Sequence, residues 1–314
     1  VRSLNGPRVT TISAQPPPIQ LENGLILNGP KKEIRGVWLA GGSKIDGFTV
    51  AGGMAHLNFG SGCGGGVCGS GSANVVANCI LSNNIASAQG AGIFGCTAHN
   101  CTIIGNLTYK LDYIPPVTYG AGAASCSLRN CLLDGNYSGA GGGAYNCMLE
   151  NCTVTRNTAD RGAGGGVNSC TLLNCVVIGN IRHVEYWWEE DNYVGSTLSF
   201  SCSTPLAAGD GNIEAAPVFE GEADFHLQFS SPCINAGTNL EWMTEATDLD
   251  GMPRIADGRV DMGAYESSFI PAPVPVPCWW ISRCPILLNL AGGDYAAAAL
   301  ADTDGDGYAA WQEY

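Results

Sequence analysis

The sequence predicts a right-handed parallel β-helix, a solenoid of short stacked coils, followed by a small C-terminal module. The pattern Asn-Cys-x-apolar-x-x-Asn occurs five times in a fixed order, with starts 22, 30, 21 and 23 residues apart. A period near 22 residues is typical of solenoid repeats. The 44 glycines also disfavour a helical domain, because Gly destabilises a helix interior by roughly 1 kcal/mol relative to Ala.

Each repeat reads as turn, short strand, Asn turn, short strand and Asn turn. The runs between turns are too short for helices, and their alternation predicts strands with Cys152 and Val154 inward and Thr153 outward. Coils stacked at about 4.8 Å place equivalent residues above one another. Two asparagine ladders are therefore expected: Asn78, Asn100, Asn130, Asn151 and Asn174, and Asn84, Asn106, Asn136, Asn157 and Asn180. Five ordered matches disfavour the alternative, a β-sandwich or jelly roll with accidental repeats.

The repeat, with Gly-Gly-Gly upstream at residues 64–66, 141–143 and 164–166, resembles the parallel β-helices of bacterial surface and secreted proteins. These include relatives of the polymorphic outer-membrane proteins. The stretches 231–237, 247–254 and 260–266 resemble the closing segment of "choice-of-anchor" β-helix proteins. The resemblance covers roughly residues 20–267 and implies the architecture, but it implies no activity.

The chain contains 15 cysteines, most of which recur five residues apart. Each such pair is expected to flank one corner with both side chains inward. Two alternatives stay open at this point: disulfides across the corners, or columns of packed thiols that behave as small apolar side chains. The disulfide alternative comprises Cys63–Cys68, Cys96–Cys101, Cys126–Cys131, Cys147–Cys152 and Cys170–Cys175, with Cys278–Cys284 as a separate loop.

Two insertions, residues 107–119 and 181–193, leave the coils after the second Asn of their repeats. They are three coils apart, about 14 Å at the usual strand spacing, so they are expected to wall a groove. Their aromatic side chains suit sugar stacking: Tyr109, Tyr113, Tyr119, Tyr186, Trp187 and Trp188. The alternative is that Trp187 and Trp188 cover an apolar side of the solenoid or a subunit contact. His183 is interpreted as a solvated loop residue rather than a metal ligand.

An enzyme is not expected, because the outward positions of the repeats are mainly Thr, Ser, Ile, Leu and Val. The alternative is a polysaccharide lyase or hydrolase, which needs paired carboxylates or a base beside bound calcium. One polar cluster is present, made of Asp134, Arg156, Asp160 and Arg161. Asp134 and Arg156 are near equivalent positions of adjacent coils, so a salt bridge explains them more simply.

The predicted organisation is a β-helix over residues 1–270, a Pro-rich linker over 271–277 and a helical calcium-loop module over 278–314. The stretch 302–313 matches Asp-x-Asp-x-Asp-Gly-x5-Glu without a mismatch. This pattern resembles the calcium loop of EF-hands and of dockerins, although a dockerin has two such loops. The predicted Ca²⁺ ligands are Asp302, Asp304, Asp306, the carbonyl of Tyr308, and Glu313. Residues 287–301 are expected to form the helix before the loop.

A net charge of −14 disfavours nucleic acid as a partner, because phosphate binding needs clustered Lys and Arg. No segment reaches the ~18 apolar residues of a membrane span. The sequence suggests a secreted, extracellular or cell-surface location. No capping helix precedes the first coil, so head-to-tail assembly into a fibre or other oligomer is expected, with Trp279, Trp280 and the module docking on the next subunit. The predicted function is a self-assembling structural protein; the alternative is a glycan-binding adhesin.

Overall fold

The computed structural model describes residues 1–14, 20–22, 25–27, 34–57, 61–109, 118–270 and 276–313. It is a parallel β-helix, which confirms the predicted fold class. Each full coil passes through four parallel sheets, numbered here in chain order from the strand Val37–Leu39 onward.

In the described residues, sheet 3 has eight strands and the other three sheets have seven each. Sheet 1 contains Val37–Leu39, Val67–Gly69, Ile93–Phe94, Ala123–Ala124, Ala144–Tyr145, Val167–Asn168 and Tyr193–Val194. Sheet 2 contains Lys44–Asp46, Val75–Ala77, Thr97–His99, Ser127–Arg129, Met148–Glu150, Thr171–Leu173 and Thr197–Ser199. Sheet 3 contains Thr11–Ser13, Thr49–Ala51, Ile80–Ser82, Thr102–Ile104, Leu132–Asp134, Thr153–Thr155, Val176–Ile178 and Cys202–Ser203. Sheet 4 contains Met54–Ala55, Ile85–Ala86, Leu107–Thr108, Tyr137–Ser138, Thr158–Asp160, Ile181–Val184 and Trp187–Glu190.

The second Asn of each repeat forms a continuous buried ladder between sheets 3 and 4. Asn106 Nδ2 donates to Asn136 Oδ1 at 2.9 Å, and Asn136 Nδ2 donates to Asn157 Oδ1 at 2.9 Å. Each Asn also donates to a backbone carbonyl of the preceding coil; for Asn136 this is Ile103 O at 2.9 Å. The ladder ends on a rung that the repeat does not reveal, Asn192, which accepts from Asn180.

The first Asn of each repeat lies at a corner and does not form a continuous ladder. These residues, at the corner between sheets 2 and 3, have φ between 49° and 55°: Asn78, Asn100, Asn130, Asn151 and Asn174. Asn tolerates this left-handed backbone better than most residues. Links such as Asn130 to Asn100 (3.3 Å) are present, but the amides of four of the five also donate to a separate part of the chain. The prediction of a second ladder was therefore incomplete.

That separate part is residues 214–268, the closing segment, which runs back along the outside of sheet 3. Asn130 Nδ2 donates to Thr247 O at 2.8 Å and Asn174 Nδ2 donates to Thr238 O at 2.9 Å. The hydroxyl of Thr153 accepts from the Ala264 amide at 3.0 Å. The outward apolar positions of sheet 3, such as Val176, are fully buried beneath this segment. Their apolar character therefore reflects covering by the chain itself.

The cysteines form columns of thiols. Cys126 N donates to Cys147 Sγ and Cys147 N to Cys170 Sγ, both at 3.4 Å, one coil apart. The prediction that cysteines five residues apart flank one corner was wrong. Cys147 and Cys152, for example, lie at opposite ends of the strand Met148–Glu150. A strand of that length separates Cα atoms by roughly 10 Å, beyond the reach of a disulfide.

No disulfide is present among the fifteen cysteines, all of which lie in the described residues. The structure thus contains the packed-thiol alternative. The corner disulfides Cys63–Cys68, Cys96–Cys101, Cys126–Cys131, Cys147–Cys152 and Cys170–Cys175 are absent, as is the loop disulfide Cys278–Cys284.

The C-terminal residues form four short helices: α1 (Cys278–Ser282), α2 (Pro285–Leu290), α3 (Tyr295–Ala299) and α4 (Ala310–Glu313). The predicted single helix over 287–301 was wrong, because Gly292 and Gly293 adopt positive φ and separate α2 from α3. Within the predicted linker, Val276–Pro277 pairs with Phe269–Ile270, and residues 271–275 lie outside the described part. A short 3-10 helix, Glu241–Met243, and the strand pair Gln20–Glu22 with Leu25–Leu27 complete the elements.

Candidate functional site

The outer side of sheet 4, here called the open face, carries a row of chemically useful side chains. Ser138 and Ala159 point inward and are fully buried. Because successive strand residues point to opposite faces, Tyr137 and Asp160 point outward. The row continues coil by coil through His183 to Trp188 and lies beyond the closing segment's cover of sheet 3.

The strand register brings these side chains together. Asp160 pairs with His183, and His183 with Trp188 across the turn of the second insertion. Asp160 Oδ1 lies 3.0 Å from His183 Nδ1. The His183 and Trp188 rings stack with centroids 4.4 Å apart and planes 25° from parallel. The carboxylate therefore orients the imidazole, and the indole covers one side of it.

Tyr137 is the end of the row, and the sequence analysis did not single it out. Its side chain is half-buried beside Asp160, and burial followed by the Asp160 carboxylate raises the pKa of Tyr137. Tyr137 and Trp188 are three strand spacings apart, about 14 Å. The sequence signal that could have identified Tyr137 is its repeat position, which is equivalent to that of Thr158 in the next coil and points outward.

The second insertion is a hairpin of Ile181–Val184 and Trp187–Glu190. Trp187 and Trp188 are 54% and 53% exposed, and Tyr186 at the turn is 90% exposed. The tryptophans therefore do not bury an apolar side of the solenoid, which was the alternative interpretation. As strand neighbours they point to opposite faces of the hairpin, and Trp188 is the one on the open face.

The first insertion contributes less than predicted. The Tyr119 and Tyr145 rings stack with centroids 4.3 Å apart. The ring centroids of Tyr109 and His56 are 6.2 Å apart. Tyr113 lies outside the described residues. The described tyrosines of this insertion are thus engaged in packing, while the repeat residue Tyr137 faces Asp160.

The predicted polar cluster separates into two parts. Arg156 Nε donates to Asp134 Oδ1 at 2.7 Å, and Arg156 Nη1 donates to Glu222 O at 2.7 Å. The guanidinium also lies over the Phe225 ring, 4.9 Å from its centroid. Asp134 is buried, so this ion pair anchors the closing segment on sheet 3. Asp160 belongs instead to the open face, one coil from His183.

The acidic loop of residues 302–313 brings three exposed carboxylates together. Asp302, Asp304 and Asp306 each offer an oxygen within 4.8 Å of the others. Asp302 Oδ1 accepts from Gly305 N at 2.7 Å, and its Oδ2 accepts from Gly307 N. Desolvation and the charges of Asp304, Asp306 and Asp302 raise the pKa of Glu313. An all-oxygen set of carboxylates fits Ca²⁺.

The predicted contact of Trp279 with another subunit conflicts with its position. Trp279 is buried and stacks on His226 of the same chain, with centroids 4.0 Å apart. Head-to-tail assembly itself stays a prediction, but Trp279 would have to leave this contact to take part in it.

The solved structure "Crystal structure of pectate lyase Pel9A" matches with 14% identity and a TM-score of 0.39, over 73% of this chain and 72% of that chain. A TM-score this low transfers no residue role or activity to this protein. No protein-family model and no curated protein matches the chain. Among the described residues, no helix is long and apolar enough to cross a membrane.

Proposed function

We propose that this protein is an extracellular β-helix protein that binds carbohydrate on its open face. The observation that supports this proposal is the row of Tyr137, Asp160, His183 and Trp188, which joins exposed aromatic rings to a hydrogen-bonded polar pair. Sites for small ligands combine apolar or aromatic surfaces with a few placed polar groups.

Each member of the row has a distinct role in this proposal. The outer side of the Trp188 indole, opposite His183, offers a flat apolar surface to a sugar ring. The Asp160 carboxylate accepts from sugar hydroxyls, since an ionised carboxylate has several acceptor sites. The hydrogen bond from His183 holds that carboxylate in place. The ~14 Å length of the row suits an oligosaccharide better than a single sugar.

The decisive experiment compares Trp188→Ala with Trp187→Ala on a glycan array, followed by titration of the glycans that bind. The two tryptophans are neighbours of nearly equal exposure, 53% and 54%, on opposite faces of one hairpin. Trp188→Ala should lower affinity at least tenfold, which corresponds to about 1.4 kcal/mol. Trp187→Ala should retain the affinity of the unaltered protein. Equal loss in both variants, or retention in both, would refute binding on the open face.

Polysaccharide cleavage is the second candidate, and the Asp160–His183 pair favours it. A carboxylate that orients an imidazole at 3.0 Å is a suitable arrangement for proton abstraction. A two-carboxylate hydrolase is less well supported, because Glu190 is already hydrogen-bonded to Asn192 and Thr204. Unsaturated products released by the unaltered protein and lost in His183→Ala would replace binding by lyase activity. Replacing Asp134 or Arg156 does not test this, since Asp134 is buried and Arg156 is bonded to it and to Glu222 O of the closing segment.

We further propose that the acidic loop binds Ca²⁺ through Asp302, Asp304, Asp306, the Tyr308 carbonyl and Glu313. The support is the convergence of the three aspartates. Isothermal titration with Ca²⁺ should show one site in the intact protein, and Asp304→Asn should weaken it. Absence of a calcium-dependent signal in the unaltered protein would overturn this assignment.

Self-assembly, the function first predicted, is tested separately by light scattering and negative-stain microscopy. Fibres or defined oligomers are the expected result. Monodisperse monomers at all concentrations would contradict assembly and leave the carbohydrate proposal intact.

A further inference from the structure

A cavity of about 580 Å³ that is open to solvent lies where three distant parts of the chain meet. Arg8 comes from the first coil, Asp250 from the closing segment, and Ser282 and Arg283 from the end of α1. A volume between roughly 300 and 1,000 Å³ is typical of pockets that hold small molecules. The cavity is therefore larger than a single bound ion requires.

The walls of this cavity gather positive charge in a chain whose net charge is −14. Arg283 lies over the Trp279 ring, 4.4 Å from its centroid, and its Nη1 is 3.7 Å from Asp224 Oδ2. Arg8 has no ion-pair partner among the residues that the structure describes. One of the two guanidinium groups thus has no carboxylate of its own in the described chain.

The carboxylate of Asp250 is hydrogen-bonded to a buried histidine, His226. His226 Nε2 lies 2.7 Å from Asp250 Oδ2, and His226 Nδ1 contacts Asp224 Oδ1. Its ring is packed between Trp279 and Tyr265, with centroids 4.0 and 4.2 Å away. Burial opposes the charge of His226, but hydrogen bonds with Asp250 and Asp224 outweigh it and raise the pKa of His226.

With His226 protonated, the group contains three cations and two carboxylates. Asp224 is balanced by Arg283 and His226, and Asp250 shares His226. The remaining positive charge is that of Arg8. The same wall offers acceptors, because Asp250 keeps an oxygen that His226 does not bond and the Ser282 hydroxyl donates inward to Trp279 O at 2.7 Å.

We propose that this cavity binds a small organic hydroxy acid, with its carboxylate between Arg8 and Arg283 and its hydroxyls on Asp250 and Ser282. Guanidinium groups bind carboxylates with paired, charge-assisted hydrogen bonds. A sugar-type hydroxyl donates to the Asp250 carboxylate without adding charge beside it, whereas phosphate places its own negative charge next to that carboxylate. The site is separate from the open face and does not depend on carbohydrate binding there.

Isothermal titration of the intact protein with glucuronate, glucose and inorganic phosphate tests this proposal. Glucuronate and glucose share a ring and differ at the carboxylate. Glucuronate should bind at least tenfold more tightly than glucose and more tightly than phosphate. Arg8→Gln should weaken glucuronate binding about tenfold, which corresponds to about 1.4 kcal/mol, because one charge-assisted contact is lost. Ser282→Ala, which removes a neutral contact, should weaken it severalfold.

Arg2→Gln is the matched control. Arg2 is also an exposed arginine of the first coil, but its partner is Asp46, at 4.0 Å. Its replacement should leave glucuronate binding unchanged. Equal binding of glucose and glucuronate would overturn the proposal, as would phosphate binding as tight as glucuronate, which would indicate a simple inorganic-anion site. Equal effects of Arg8→Gln and Arg2→Gln would also overturn it. Thermal unfolding of each variant establishes that it is folded.

Discussion

The stacked coils and the closing segment are stabilised by different kinds of interaction. The coils are held by neutral, repeated contacts: the ladder through Asn136 and the thiol columns. The closing segment is held by buried charges that occur once. Arg254 is fully buried, donates to the carbonyls of Asp261 and Gly263, and lies 3.3 Å from Glu266.

The difference has a physical reason. A coil has a copy of itself above and below, so one amide per coil can satisfy its neighbours in both directions, as the Asn ladder does. The closing segment meets sheet 3 only once and has no copy to bond with. Its buried polar backbone must therefore be satisfied by long or charged side chains such as Arg254, since unpaired buried groups are costly.

The largest predicted loss of folding stability comes from a substitution in the closing segment. Arg254→Leu removes a fully buried cation and leaves the carboxyls of Asp261 and Glu266 without it. The buried carbonyls of Asp261 and Gly263 then lose their donor, at about 1–3 kcal/mol each, so a total of about 4 kcal/mol is expected. Denaturant unfolding should show this loss, and hydrogen exchange should locate it in residues 214–268. Arg259→Leu is the control, because Arg259 is exposed and should cost under about 1 kcal/mol. Equal losses would contradict the role given to burial.

A somewhat smaller loss is expected within the coils. Asn136→Ala removes the ladder contacts to Asn106 and Asn157 and leaves Ile103 O without its donor. Each buried group left unpaired costs about 1–3 kcal/mol, so a total of about 3 kcal/mol is expected. Asn83→Gly is the control, because Asn83 is an exposed corner residue with φ 53°. Hydrogen exchange should spread over several coils for Asn136→Ala, in contrast to the local effect of Arg254→Leu.

The same contrast explains what could be predicted from the sequence. The fold and the inner ladder follow from a period that is visible in Asn and Cys, whereas that period left thiol columns and corner disulfides as open alternatives. The covering of sheet 3 could not be predicted, because Arg254 and Asp261 recur nowhere and meet the coils through distant contacts such as Asn151 to Asp261 O, at 3.1 Å. Only part of the open-face row could be predicted. His183 and Trp188 belong to an insertion that interrupts the repeat, whereas Tyr137 occupies an ordinary repeat position.

Moderate alkalinity should affect the closing segment before the coils. Burial raises the pKa of Asp261 to about 7 and that of Glu266 to about 9, and the pKa of His226 is raised as well. Groups whose folded pKa exceeds the unfolded value stabilise the fold at low pH and lose that contribution as pH rises through the folded pKa. Stability of residues 214–268 should therefore fall as pH rises from about 4, where unfolded carboxyls ionise, to about 9, where the contribution of Glu266 is fully lost.

The coils should respond only at higher pH. Burial raises the pKa of thiols such as Cys96, and an unfolded thiol ionises near pH 8.5, so their contribution is lost above that pH. Hydrogen exchange at pH 6.5, 8 and 9.5, corrected for the intrinsic rate, should show opening of the closing segment first. His226→Gln should reduce the pH dependence at the first step. If protection from exchange is lost at the same pH in both regions, the closing segment and the coils do not unfold independently.

The smallest effect concerns the contact between the two regions. Thr153 is a coil residue, 1% exposed, whose hydroxyl accepts from the Ala264 amide of the closing segment. Thr153→Val keeps the shape but leaves that amide unpaired, at a cost of about 1–2 kcal/mol. Thr171→Val, at an exposed strand position, should change stability by less than about 0.5 kcal/mol. If Thr153→Val opens the closing segment alone, while coil exchange is unchanged, the coils do not need their cover to remain folded. If exchange rises in both regions, the cover and the coils unfold as one unit, and the interactions that differ so much in kind are thermodynamically coupled.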